Sequence, residues 1–155
     1  LTSLWDANMD MLSPDSGLDL SDESWPIYAR SVDAPPIYMG GDSHVSHSAI
    51  NRGCDIEGTV ENSVLSPRVT IEKGARVSYS VILPGVTVEA GSVIEYAIIG
   101  EGCHIGRECR VGGTPDSAPG GKWNLTVLAP DCALEDGREI APGVMLDRYG
   151  KEVLK

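Results

Sequence analysis

The sequence predicts an all-β fold, a parallel β-helix of hexapeptide repeats, preceded by a short N-terminal helix and a linker. Three observations carry this. The first is a row of aliphatic residues, Ile71, Val77, Ile82, Val88, Ile94, Ile99, Ile105 and Val111. Their spacing is six, five, six, six, five, six and six, so each position returns after 17 residues. No α-helical period fits six, and recurrence this strict marks a solenoid with three short strands per coil. The second is glycine three residues after a leader, at Gly74, Gly85, Gly91 and Gly102, where a tight corner needs a positive φ. The third is the small or β-branched residue one further on: Ala75, Val81, Val86, Ser92, Ile98, Cys103 and Cys109. Leaders and followers are expected to point inward together. Glu72, Lys73, Arg76, Glu89, Glu95 and Arg107 are left to face water.

Composition agrees. Aromatic residues make up 5% of the 155 and Phe is absent, which suits a prism too slim for large rings. The 18 glycines and 10 prolines fall largely at corners and turns, so they do not signal disorder. A net charge of -11 argues against nucleic acid and against an anionic membrane surface as partners. There is no signal peptide and no long apolar run, and the expected compartment is the cytoplasm. The chain begins at Leu1 rather than Met, which is read as a piece cut from a longer protein. Cys54, Cys103, Cys109 and Cys132 each stand four residues after a leader, and their separations match no zinc pattern. They are expected to be small, buried, reduced and structural.

Taken in order, residues 1–44 form an N-terminal helix and acidic linker, and residues 45–155 the β-helix. Leu1 to Leu12 places Leu1, Leu4, Trp5, Met11 and Leu12 on one helical face, with Ser3 as its cap and Ser13-Pro14 as its stop. Such a helix must dock on the solenoid or on a neighbour. Asp15 to Asp33 is acidic and turn-rich around Trp25-Pro26-Ile27-Tyr28, and Pro35-Pro36 is extended. The hexads begin with leaders Val45, Ile50, Ile56, Val60 and Leu65. From Ile56 to Val60 the interval is only four, so either a corner tightens or the register slips. A loop at 112–127 interrupts the repeat. Because Val111 to Leu128 is again 17, it is read as a looped-out coil. Leaders Leu128, Leu134, Ile140 and Leu146 resume the pattern before a short tail.

The stretches SLWDANMDML, WPIY, APPIY, GCDIEGTVENSVLSPRVTIEKGARV and SVILPGVTVEAG closely resemble the C-terminal half of bacterial glucose-1-phosphate adenylyltransferase (ADP-glucose pyrophosphorylase). The likeness runs from Ser3 to about Gly113. It implies a left-handed coil, a tetrameric homo-oligomer, and a role in assembly and regulation. The reaction implied for the parent protein is ATP plus glucose 1-phosphate to ADP-glucose plus pyrophosphate, in glycogen synthesis. ATP and Mg belong to an N-terminal catalytic domain whose signatures do not occur here. That domain is itself an implied partner.

No catalytic, cofactor or metal residues are therefore assigned within the chain. Gly120-Gly121-Lys122 fails the phosphate-loop pattern because Asp116 stands where a glycine is required. His44, His47 and His104 are the only histidines, and a hexapeptide acyltransferase, the rival reading, would use one as general base. A non-catalytic regulatory paralogue is the third reading. For small anionic effectors, which need arginine forks or lysine charges, the candidates are Arg107, Arg110, Arg138, Arg148 and Lys151. Glu101 departs from the family, some of whose members carry a basic residue there.

Overall fold

The computed structural model describes residues 1–17, 24, 33–115 and 124–153. Among the described residues one α-helix, α1 (Thr2–Asp10), is followed by 18 short strands in three parallel sheets of six. One sheet stacks β1 (Tyr38–Met39), β4 (Asp55–Ile56), β7 (Thr70–Ile71), β10 (Thr87–Val88), β13 (His104–Ile105) and β16 (Ala133–Leu134). A second holds β2 (His44–Ser46), β5 (Thr59–Glu61), β8 (Arg76–Ser78), β11 (Val93–Glu95), β14 (Arg110–Gly112) and β17 (Glu139–Ile140). The third holds β3 (Ala49–Ile50), β6 (Val64–Leu65), β9 (Val81–Ile82), β12 (Ala97–Ile99), β15 (Thr126–Leu128) and β18 (Met145–Leu146). Strands 1, 2 and 3 make one coil, and six coils stack into a three-sided prism.

Leaders pair with leaders as the 17-residue recurrence requires. Ile71 and Ile105 flank Val88, Val77 and Val111 flank Ile94, and Ile82 lies against Ile99. All eight are essentially sealed from solvent in one continuous core. Coiling begins earlier than Val45, because Tyr38–Met39 already pairs with Asp55–Ile56.

The follower rule needs correction at the short sides. The inward small slot lies two residues before the next leader, not four after the last. The two counts agree on six-residue sides and differ by one on five-residue sides. There the slot holds Ser63, Ser80 and Ala97, while Val81 and Ile98 point out of the prism into a separate cluster. The serines suit an interior corner. Each Oγ donates to the carbonyl two residues back and accepts the backbone N–H of the coil below. Thus Ser80 N–H donates to Ser63 Oγ at 3.1 Å, and Ala97 N–H to Ser80 Oγ at 3.1 Å.

The corners after the second sheet turn in five residues through a left-handed residue, His47, Asn62, Tyr79 or Tyr96, with φ from 44° to 49°. The last two, Tyr79 and Tyr96, stack their rings along this edge. The four-residue interval is a tightened corner in correct register, since Ile56 pairs with Ile71 and Val60 with Val77. Gly58 makes it possible: a Cβ there would collide with the Ala75 carbonyl oxygen and lie 2.8 Å from that of Glu72.

The interruption after Val111 is not a looped-out coil. Val111 and Leu128 lie on different sheets, and the partners of Leu128 are Ile99 and Leu146. Ile105 pairs with Leu134, and Val111 with Ile140, each 29 apart, so 29 − 17 = 12 residues are inserted into one side of an otherwise continuous coil. Strands also enter the span read as loop: β14 runs to Gly112 and β15 starts at Thr126. Gly120-Gly121-Lys122 lies outside the described residues, as does Trp25-Pro26-Ile27-Tyr28.

Helix α1 docks on the solenoid itself. The outward residues of the third sheet, Val81, Ile98 and Val127, are apolar, and Trp5 and Met9 pack over them with Leu125 and Leu83. The contact face differs from the one expected. Leu1 and Leu4 remain 61% and 45% exposed, and Ser3 makes no cap hydrogen bond. Trp5 and Met9, four apart, fall on the same helical face and hold the helix down.

Candidate functional site

The five basic candidates do not converge. Arg107 sits on the corner after the first sheet, with Nε 3.4 Å from Glu89 Oε2. Arg148 is 3.0 Å from Asp131 on the corner after the third sheet. Arg138 stands two residues before the leader Ile140 on the last coil, is exposed, and donates to the Gly150 carbonyl at 3.1 Å. Arg110 lies on the outer face of β14. Lys151 belongs to the tail, its backbone N–H bonded to Asp147 Oδ1 at 2.9 Å. Arg110 and Lys151 keep side-chain charges without an ion pair among the described residues.

The tail is a lid. Asp147 Oδ1 also accepts the Tyr149 N–H, Asp147 N–H donates to the Lys151 carbonyl, and Val153 N–H donates to the Met145 carbonyl. Glu152 bridges antiparallel to Leu146, so the edge of β18 is covered. At the opposite end, Ile37, Tyr38 and Met39 are 41%, 57% and 49% exposed, and the leaders Val45 and Ile50 are only half-buried.

Two histidines contact carboxylates. His104 Nε2 lies 2.8 Å from Glu89 Oε1, so one carboxylate receives both His104 and Arg107, and His44 stands 4.0 Å from Glu61. His47 is on the short corner, away from both. Among the described residues no cluster of His, Cys, Asp and Glu has metal-holding geometry. All four cysteines are free and buried. Burial is the first cause raising each thiol above its ordinary value of 9.0, with Cys103 pushed up to about 11. They are held as neutral side chains.

Two of the surface grooves are lined by residues already singled out, Glu101 in one and His47 in the other. One follows the corner after the third sheet past Arg68, Glu101 and Asp131, with a volume of about 410 Å³. The other, about 330 Å³, opens where α1 meets the short corner, between Trp5, Met9, Leu12, His47, Asn62 and Tyr79. The Trp5 indole N–H donates to the Tyr79 carbonyl at 2.8 Å, which fixes that ring. Tyr79 is stacked on Tyr96 with centroids 4.7 Å apart and planes 7° from parallel. Sequence reasoning missed this second groove because its walls come from residues 74 positions apart. The available signal was the left-handed ladder of His47, Asn62, Tyr79 and Tyr96 at every short corner.

Among the described residues no helix is long and apolar enough to cross a membrane. Residues 38–126 match the family described as "GlmU-like, C-terminal hexapeptide". A glucose-1-phosphate adenylyltransferase of Geobacillus stearothermophilus is 52% identical over 75 residues, which are 48% of this chain and 19% of that protein. One from Bacillus mycoides strain KBAB4 is 47% identical over 75 residues, 48% of this chain and 20% of its own. The match thus spans about a fifth of those relatives. Among solved structures, the acetyltransferase domain of PglB from Neisseria gonorrhoeae FA1090 superposes with a TM-score of 0.58 at 19% identity. It covers 77% of this chain and 58% of that one, a likeness of fold alone.

Proposed function

Because the chain belongs to the GlmU-like C-terminal hexapeptide family, whose left-handed parallel β-helix it adopts, we propose that it is the assembly and regulatory β-helix of a glucose-1-phosphate adenylyltransferase. The observation that carries this reading is the 52% identity over 75 residues to an enzyme of that name. The parent reaction would join ATP and glucose 1-phosphate to give ADP-glucose and pyrophosphate, with ATP and Mg bound by a separate nucleotide-binding domain. This chain's part is to hold subunits together and to carry small anionic effectors.

For assembly, the surface best suited is the open N-terminal end of the prism. Its three edge strands and the exposed Ile37, Tyr38 and Met39 are of the kind a second subunit covers. The apolar wall of Val81 and Ile98 is less suited, because α1 already lies on it. For effectors, Arg110 and Lys151 are the basic side chains of the five without an ion pair or hydrogen bond among the described residues.

The test is a chimera. This chain replaces the matching segment of the Geobacillus enzyme, and ADP-glucose synthesis and subunit assembly are measured. The expected product is an assembled, active enzyme; an inactive monomer overturns the reading. A second reading, a hexapeptide acyltransferase, is favoured by one contact, the carboxylate that orients His104. Consumption of acetyl-coenzyme A by the purified chain, abolished by His104→Ala, would establish it instead.

A further inference from the structure

The groove between α1 and the short corner has a chemistry that neither assembly nor anionic effectors use. Its walls are the rings of Trp5 and Tyr79 with the side chains of Met9 and Leu12, and its lining carries no carboxylate, guanidinium or ammonium group. In a chain of net charge -11, so uncharged a recess selects against ions of either sign. Of the polar side chains in its lining, the Ser13 hydroxyl accepts the Asp15 N–H, whereas the amide of Asn62 and the imidazole of His47 have no hydrogen-bond partner among the described residues. An apolar ligand would strip water from both without replacing it, which costs binding energy. A ligand with one face of C–H groups and a rim of uncharged hydroxyls satisfies walls and rim together.

We propose that this groove binds the ring of a neutral sugar, its C–H face against the Trp5 and Tyr79 rings and its hydroxyls bonded to Asn62 and His47. The rings are set beforehand. The indole is tied to the Tyr79 carbonyl, and one face of Tyr79 is fixed by its stack on Tyr96, which leaves only the other face for a ligand. A volume of about 330 Å³ stands at the small end of ligand pockets, suited to a sugar rather than a larger molecule. Asn62 and His47 are aimed by their own backbones, since both adopt the left-handed conformation that throws corner side chains outward, at φ 46° and 44°. The proposal stands on the groove and is independent of the adenylyltransferase reading.

The test follows the Trp5 indole N–H resonance of the whole chain by NMR, identified by its loss in Trp5→Phe, as glucose, maltose or glucose 1-phosphate is added. A saturable shift with half-saturation on the order of millimolar is expected for the neutral sugars, unchanged by added salt. Glucose 1-phosphate should bind no better than glucose. Asn62→Gly removes the amide and suits the left-handed backbone, so the thermal midpoint should hold while sugar affinity falls about fivefold. No saturable shift, or glucose 1-phosphate binding about tenfold more tightly than glucose, overturns the proposal. So does capture of a synthetic Ser-Trp-Pro-Ile-Tyr peptide in preference to sugar, which would give the groove to the chain's own residues 24–28.

Discussion

At the C-terminal end of the prism, Leu134, Ile140 and Leu146 are nearly as buried as the leaders of the middle coils. At the N-terminal end, Met39, Val45 and Ile50 hold the equivalent positions and are half-buried or exposed. The hexads specify both ends in the same way, so the difference lies in the segments that flank them. A leader inside a stack is sealed by the coil above and the coil below, whereas a terminal leader needs a lid. Asp147 to Val153 folds back as that lid, held by the two N–H bonds to Asp147 and the Arg138 guanidinium. The N-terminal helix makes no equivalent lid. It lies along the third face, and no described strand pairs with the outer edges of β1, β2 and β3.

Charge substitution separates middle from open end most widely. Ile94→Asp puts an unpaired carboxylate on the prism axis and should cost several kcal/mol, enough to prevent folding. Met39→Asp should leave the thermal midpoint almost unchanged, within the roughly 0.5 kcal/mol typical of surface sites. A soluble, equally stable Ile94→Asp protein would contradict the inward assignment.

Truncation compares the two ends directly. Leu146→Ala should destabilise by about 2–4 kcal/mol in denaturant titration, as buried Leu truncations do, and Met39→Ala by less than about 1 kcal/mol. Equal costs would mean that both ends are sealed.

Corners give the next contrast. Gly58→Ala forces a methyl group against two backbone carbonyls and should cost about 2–3 kcal/mol. Gly85→Ala meets no atom within 4 Å, so only its left-handed backbone, φ 71°, is strained, at about 1 kcal/mol. Urea midpoints of the two variants decide whether close approach or dihedral strain dominates.

The smallest expected effect is alkaline. Burial raises the Cys103 thiol to about 11 from 9.0, so the folded chain keeps a proton that the unfolded chain releases. Stability from this source is full below pH 9 and declines as pH rises from 9 through about 11. Cys103→Ala should flatten that decline, and thiol titration of the native chain near neutral pH should label few of the four cysteines. Rapid labelling of all four would show that the inward slot is wrongly placed.

The leaders were legible because one geometric requirement, an inward aliphatic residue at each strand, sets their spacing without reference to anything else. The cysteines came from the same rule. Followers were legible only on six-residue sides. Val81 and Ile98 look like core residues on any hydrophobicity count, and they are buried, but against Trp5 rather than inside the prism. Counting forward from a leader cannot see that a five-residue side drops its glycine turn for one left-handed residue. The 17 residues from Val111 to Leu128 misled because equal spacing says nothing about which sheet a strand joins. The basic candidates were scattered for a related reason: Arg107, Arg138 and Arg148 are committed to local partners that only the stacking of coils supplies. The second groove needed Trp5 and Tyr79 to meet across the chain, and no sequence period encodes that meeting.

If the open end is the assembly surface, as the proposed function requires, sedimentation of the purified chain over a concentration series is the most direct test. Self-association that Met39→Asp abolishes, with the thermal midpoint unchanged at concentrations where the wild type is monomeric, is the predicted result. A strict monomer at every concentration, or association undiminished in Met39→Asp, would contradict it.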